Sequence, residues 1–367
     1  MNLTERQKEI ATGLTILLVA GLAFGAGEAA LRIVQMTKFG TPTTVEESAK
    51  FAIDAVTGLR LPVPGSTHGR IHYNSLGFRG PELQVPKPHG ALRIAYLGSS
   101  TTLDPYSSDS ESWTAVATEV LRQSVENCEI DYLNAGVAGF ATDRMLRYFD
   151  GRVRQAEPDV VVVVPSDINF DLDRYVVRHG LHNGLHYRPS WLARHSVLWS
   201  KLEMNATIIR RQRVAMRSNG RDDIPVGEIV PAFDHRLRTL VSAIRANGSQ
   251  PVLLLMGGQV RRGQPKSDQV AAAATDLFYM PYITIESLLD IKEEYSRVLR
   301  RVGSDLHVPV IALRSTVPAD KEHYRDSSHY TPVGSAMAGR AIGEALRDLP
   351  EVRDLTGRCA AVKAEGS

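Results

Sequence analysis

Cysteine is nearly missing from this 367-residue chain: Cys128 and Cys359 are the only two. Two thiols so far apart in sequence build neither a zinc ribbon nor a multi-bridge scaffold, which removes small disulfide folds and cysteine metal centres from consideration. A single bridge between them stays open, with two free thiols as the expected state. An excess of one charge is lacking too. Lys and Arg number 43 against 41 Asp and Glu, a formal net charge of +2, and so balanced a chain has no general attraction for nucleic acid. No internal repeat and no low-complexity tract is apparent. The Gly-x-Ser-x-Gly elbow is also absent, which argues against the α/β-hydrolase fold.

What is present is a hydrophobic share of 43%, ample for a sizeable core. Ile10 to Gly27 is free of charge and rich in Leu, Ala and Val. About 20 such residues cross a hydrocarbon core of about 30 Å, so this stretch is expected to be a membrane helix that continues through Glu28 to Ile33, with Glu28 and Arg32 paired one turn apart. A cleaved signal peptide is the alternative, because Ala23 and Gly25 are small enough for a processing site. Arg6 and Lys8 before the span nearly balance Arg32 and Lys38 after it, so charge alone leaves the orientation open.

From Phe39 to about Pro88 the chain is rich in Gly, Pro, Thr and Ser and reads as a linker and irregular cap, packed beside the core rather than forming it. After Pro88 strands and helices alternate. Apolar strands are predicted at Leu92–Leu97, Cys128–Ala135, Val160–Val164, Pro251–Met256 and Val308–Leu313, with helices at 111–125, 142–156, 234–247, 285–302 and 332–346. Five consecutive valines suit only a strand buried on both faces, the mark of a parallel sheet. The expected architecture is a doubly wound three-layer αβα sandwich on a five-stranded parallel sheet, with its site at the carboxyl ends of the strands. The divisions expected are a tail (1–9), an anchor (10–33), the linker and cap (34–88), one α/β domain (89–350) and a C-terminal tail (351–367). Two stretches, about 170–229 and 260–284, interrupt the alternation and read as insertions over the active-site edge.

The first core strand runs into Gly98-Ser99-Ser100-Thr101-Thr102, delivering a serine to the sheet's carboxyl edge. A helix-capping turn would have the same composition. A serine hydroxyl becomes a nucleophile only beside a base, and that base needs a third group to hold its tautomer. Asp326-Ser327-Ser328-His329, just before Pro332, supplies both.

With these residues in order, the chain resembles the SGNH/GDSL hydrolase superfamily, in the manner of its membrane-anchored bacterial members. Gly98-Ser99-Ser100 is similar to the first block, with Ser99 where Asp is usual. Asn134 to Gly139 is similar to the second and Ser166 to Asn169 to the third, while Asp326 to His329 matches the last. Asn74-Ser75-Leu76-Gly77-Phe78-Arg79-Gly80 resembles the lead-in of the anchored members. The resemblance implies the flavodoxin-like form of the sandwich, with Ser100 as nucleophile, His329 as base, Asp326 as its orienting acid, and an oxyanion hole from the N–H groups of Ser100 and Gly139 and the amide of Asn169. The third block lacks its glycine and the Asp after Asn169, which leaves Asp167 and Asp171 as alternatives there. No cofactor or metal is called for. The implied partners are an O-acylated saccharide or lipid and a membrane, with an extracytoplasmic catalytic domain; a silent binding module of the same fold is the competing reading.

Other features have plainer readings. His179, His182 and His186 lack the carboxylates or cysteines of a metal site and suit a polar lid. Arg210, Arg211, Arg213 and Arg217 suit a solvated helix face, with anionic lipid or polymer as the alternative. Tyr175, Tyr187, Trp191 and Trp199 are expected in the core, with sugar stacking as the alternative.

Overall fold

The computed structural model describes residues 4–39, 51–179, 187–217, 225–280, 283–313 and 316–365. Two compact units divide the chain: Met1–Ala49 with Arg188–Thr207, and Lys50–Tyr187 with Ile208–Ser367. The first unit holds α1 (Glu5–Phe39). Its uncharged stretch is long and apolar enough to cross a bilayer. Within α1 Arg32 reaches Glu28 at 2.7 Å, the expected i,i+4 pair.

The second unit opens with two small antiparallel ribbons, β1 (Phe51–Ile53) with β2 (Arg60–Pro62) and β3 (Thr67–His68) with β4 (Ile71–His72). The alternating region follows: β5 (Leu92–Gly98), α2 (Ser100–Leu103), α3 (Trp113–Ser124), β6 (Ile130–Gly136), α4 (Thr142–Gly151), β7 (Val160–Val164) and α5 (Ile168–Arg178). The insertion carries α6 (Trp191–His195) and α7 (Val197–Arg217), which up to Thr207 belong to the first unit, before α8 (Val226–Ala246) and β8 (Gln250–Leu255). The second insertion holds α9 (Lys266–Ala272) and α10 (Ala274–Tyr279), and α11 (Ile285–Asp305), β9 (Val310–Ala312), α12 (Pro332–Asp348) and α13 (Pro350–Glu365) complete the chain.

The five core strands are all parallel in the order β6-β5-β7-β8-β9. Numbered by appearance that is 2-1-3-4-5, the flavodoxin-like order, and its direction reverses between β5 and β7, where such sheets place their ligand site. Successive side chains of each strand enter opposite layers. Ala95, Leu97, Val161 and Val163 pack with Met145 and Phe149 of α4, Leu240 of α8 and Val298 of α11. Ile94, Tyr96, Val160 and Val162 pack with Trp113 of α3, Ile342 of α12 and Val352 of α13. All five valines of β7 are buried, each burial stabilising by about 1.5–3 kcal/mol.

Three expectations change. The expected C-terminal tail is helical over its described residues, Pro350–Glu365, and buries Val352 and Cys359. The thiols are not free: Cys128 and Cys359 form a disulfide across a separation of 231 residues. Packing of α13 beside the lead-in to β6 brings them together, which spacing could not reveal. The cap also enters the core, since Leu59, Leu61 and Phe78 belong to the first layer and Arg79 pairs by backbone bonds with Asn134 of edge strand β6.

Candidate active site

Ser100 is the first residue of α2, a single helical turn raised on the carboxyl end of β5. Its N–H, first in the helix, has no intrahelical acceptor and points out of the turn's ladder. The turn sits this close to the sheet only because two strand ends are glycine. A Cβ on Gly98 would stand 2.0 Å from Thr102 Oγ1, and one on Gly136 would stand 2.2 Å from the Leu103 nitrogen. Side chains then fix the turn from below. Asn134 Nδ2 donates to the Thr102 carbonyl at 2.7 Å, and Trp113 Nε1 donates to the Thr101 carbonyl at 2.8 Å.

The turn ends at Asp104, whose φ of 54° reverses the chain. The carbonyls left open there converge on Arg79, which is 1% exposed. Its guanidinium donates to the carbonyls of Leu103, Asp104 and Ser107 and to the Asp109 carboxylate. Arg79 thus ties the cap to the Ser100 turn; the sequence offered only its place in the lead-in segment. Asp104 itself accepts from Ser335 Oγ at 2.5 Å and from the Trp113 N–H at 3.2 Å. Burial pushes its carboxyl above the usual range, although Ser335 and the Arg79 charge pull the other way.

Asp326 to His329 forms an Asx-type turn, in which Asp326 Oδ1 accepts the N–H groups of Ser328 and His329, each at 3.0 Å. The same carboxylate lies 2.9 Å from His329 Nδ1. Nε2 of that ring lies 2.8 Å from Ser100 Oγ, bringing together residues 229 positions apart. With Nδ1 donating to the carboxylate, Nε2 is free to accept the serine proton. Burial pushes the Asp326 carboxyl up, but the His329 hydrogen bond and charge and the two N–H donors outweigh it and hold the group below its usual range. Serine, imidazole and carboxyl are all only partly buried, so a reactant can reach them. Tyr106 stands edge-on to the His329 ring at 5.9 Å, under the Arg325 guanidinium at 5.9 Å. Neither was expected from the sequence, which gave no signal for them.

The remaining candidates lie on neighbouring strand ends. Gly98 is level with Gly136 on one side and Val164 on the other. Ser100, Gly139 and Asn169 therefore follow three adjacent strands at one edge. Gly139, at φ 78°, is exposed in the turn after β6. Asn169 is exposed in the first turn of α5, and among the described residues its amide has no partner. The alternatives are both engaged elsewhere: Asp167 accepts from the Thr142 hydroxyl and from Arg236, and Asp171 accepts from Arg236 at 2.6 Å and Tyr295 at 2.5 Å.

Of the insertion histidines, His179 packs tilted against the Tyr175 ring at 4.1 Å, while His182 and His186 lie outside the described residues. Tyr187 packs on Phe278 at 5.0 Å, and Arg211 lies over the same ring. Trp191 and Trp199, expected in the core, are 65% and 38% exposed.

No protein-family model and no curated protein matches the chain. Among solved structures it is similar to a lipase/acylhydrolase from Enterococcus faecalis, at 17% identity over 70% of this chain and 95% of that one, with a TM-score of 0.42. It is also similar to an acetylxylan esterase from Geobacillus stearothermophilus, at 12% identity over 68% and 91% with a TM-score of 0.42. Another acetyl xylan esterase gives 13% identity over 69% and 99%, with a TM-score of 0.41. The chemistry of this site follows from its own geometry.

Proposed function

We propose that the chain is a membrane-anchored serine esterase of the SGNH type, with Ser100, His329 and Asp326 as its triad. The observation that carries this is the unbroken run of contacts from Ser100 Oγ through the His329 ring to Asp326, at 2.8 and 2.9 Å. In the proposed reaction His329 Nε2 takes the Ser100 proton as Oγ attacks an ester carbonyl. The N–H groups of Ser100 and Gly139 and the Asn169 amide hold the oxyanion that forms. Each such donor contributes about 10²–10³ in rate in comparable sites. The tetrahedral adduct collapses by breaking the bond to the alcohol, which leaves with the proton from His329. Water then repeats the sequence on the acyl-serine, releasing the carboxylic acid and restoring Ser100.

The substrate we propose is an O-acylated glycan or lipid of the cell envelope, met on the extracytoplasmic side. The apolar length of α1 supports the anchor, and the Cys128–Cys359 disulfide supports an oxidising compartment. An acyltransferase would use the same triad with a sugar hydroxyl in place of water.

The test is hydrolysis of p-nitrophenyl acetate by the full chain in detergent. Ser100→Ala and His329→Ala are expected to abolish turnover, and a serine-directed phosphonate is expected to add to Ser100 in the wild type and not in Ser100→Ala. A wild-type chain that neither turns over ester nor takes up the phosphonate would point instead to a silent module of this fold. Adding a sugar acceptor separates cleavage from transfer, since only a transferase loses acid product to acylated sugar.

A further inference from the structure

The point at which α1 stops being uncharged coincides with a change in its surroundings. Every residue from Ile10 to Ala26 is exposed, whereas Gly27, Glu28, Leu31, Arg32 and Gln35, on one helical face, are half-buried. The junction of α6 and α7, in the same compact unit, engages that face. The Glu28 carboxylate accepts the Val197 N–H at 2.9 Å, the Leu198 N–H at 2.8 Å and the Ser196 hydroxyl at 2.8 Å, so it caps the first turn of α7. Arg32 pairs with Glu28 and donates to the His195 carbonyl at 3.3 Å. A Cβ on Gly27 would lie 3.1 Å from Leu198 Cδ2, so the approach is close as well as polar. A carboxylate at the edge of a hydrocarbon layer needs such partners.

The uncharged stretch from Ile10 to Gly27 rises about 27 Å as a helix, close to the thickness of a hydrocarbon core. The junction is therefore bound at the boundary of whatever bilayer α1 spans. There it exposes large apolar side chains: Trp191 at 65%, Leu192 at 46%, Trp199 at 38% and Leu202 at 52%. Ile33, Val34 and Met36, beyond Glu28 on α1, are exposed too. Single exposed apolar residues are ordinary, but two tryptophans and two leucines within one short segment are not. Trp199 also keeps a polar end, its Nε1 donating to Glu203 at 3.2 Å. An apolar ring with a hydrogen-bonded N–H is what the headgroup layer favours.

We propose that α6 and the first turns of α7 form an interfacial membrane-binding element, in which Trp191, Leu192, Trp199 and Leu202 enter the headgroup and upper acyl layer of the bilayer that α1 crosses. This rests on α1 being a retained anchor. The occupant is the lipid, because the element is fixed by Glu28 to the end of the span itself. Its role is to hold α1 at a set depth and to give the anchor a second foothold on the surface.

The chain has three tryptophans, and Trp113 is fully buried in the other unit, so emission quenching reads the element directly. The full chain is reconstituted into phosphatidylcholine vesicles carrying bromine on the acyl chains, either near the headgroup or near the chain ends. The expected result is loss of Trp191 and Trp199 emission, larger with shallow than with deep bromine, and no loss in Trp191→Phe/Trp199→Phe. Glu28→Ala is expected to float with vesicles through α1 while its quenching falls towards that of the double variant. A chain that floats with unquenched emission overturns the interfacial element and leaves the anchor standing. One that does not float overturns both, and quenching that persists in the double variant belongs to Trp113 and overturns the proposal.

Discussion

Replacing Asp326 by Asn tests the proposed triad at its least obvious member. The Asn carbonyl can still accept the N–H groups of Ser328 and His329, both now 3.0 Å from Asp326 Oδ1, so the turn keeps its shape. The other end of the amide then presents N–H groups to His329 Nδ1, where the carboxylate oxygen stands at 2.9 Å. Two donors cannot face each other. The imidazole must place its proton on Nε2, directed at Ser100 Oγ 2.8 Å away, and it can no longer accept the serine proton. The same exchange of tautomer in a serine protease lowers kcat by about 10⁴, equivalent to about 5.4 kcal/mol of transition-state stabilisation at 1.36 kcal/mol per decade. The assay is kcat/KM for p-nitrophenyl acetate at neutral pH, with Ser100→Ala as background and the thermal midpoint as a check on folding. A folded Asp326→Asn enzyme retaining more than about one tenth of wild-type kcat/KM would refute the tautomer argument, because loss of orientation alone would then be all that Asp326 supplies.

Gly136→Ala is expected to displace α2, since its Cβ meets the Leu103 backbone at 2.2 Å. Overpacking of this kind costs about 1–3 kcal/mol, and circular dichroism melts with ester turnover should show both stability and activity falling. Gly139→Ala meets no atom within 4 Å and bears only the left-handed backbone cost of about 1–2 kcal/mol, so its melting point should fall less than that of Gly136→Ala. Asp104→Asn should stabilise the fold at neutral pH. The Asp104 carboxyl is raised by burial, so the wild type's stability declines as pH rises through the window between the unfolded value and that raised value, whereas Asn does not titrate. Urea midpoints of the pair should therefore coincide most closely at low pH and diverge as pH rises; a constant gap would count against it. Reducing the Cys128–Cys359 bridge reopens a loop of separation 231, a cost of about 5 kcal/mol in the chain-entropy account and ~2–4 kcal/mol as usually realised. A lowered urea midpoint with unchanged kcat is the expected outcome, because neither cysteine touches the site.

Much of the architecture was legible because it repeats a simple physical pattern. The Val160–Val164 run, the apolar strands beginning at Leu92 and Pro251, and the amphipathic segments between them can be buried together only as a sheet covered on both faces. Strand ends then follow, and with them the placing of Ser100 at the sheet's carboxyl edge. Boundaries shifted where local chemistry intervened: α3 begins at Trp113, because Ser112 caps it by accepting from the Ala115 N–H, rather than at Glu111.

The site was legible only in part, and a second Asp/His pair, which the sequence reading did not single out, shows why. Asp320-Lys321-Glu322-His323-Tyr324 has the same Asp-x-x-His-Tyr spacing as Asp326 to Tyr330. Its local geometry is the same as well, with Asp320 accepting the His323 N–H at 3.0 Å and the ring Nδ1 at 2.7 Å. Only His329 meets a serine. Spacing determines that an aspartate and a histidine share a turn, since an Asx turn is built from neighbours along the chain. Which of two such turns faces Ser100 depends on how α12 and the loop before it pack on α3 and the end of β5. The same division holds elsewhere. The sequence by itself determined the apolar span, the parallel sheet and the serine at its edge, all consequences of short-range periodicity. The tertiary structure alone decided that Cys128 meets Cys359, that Arg79 gathers the carbonyls beneath the Ser100 turn, and that Trp191 and Trp199 face outward, because each depends on contacts between residues that no local rule relates.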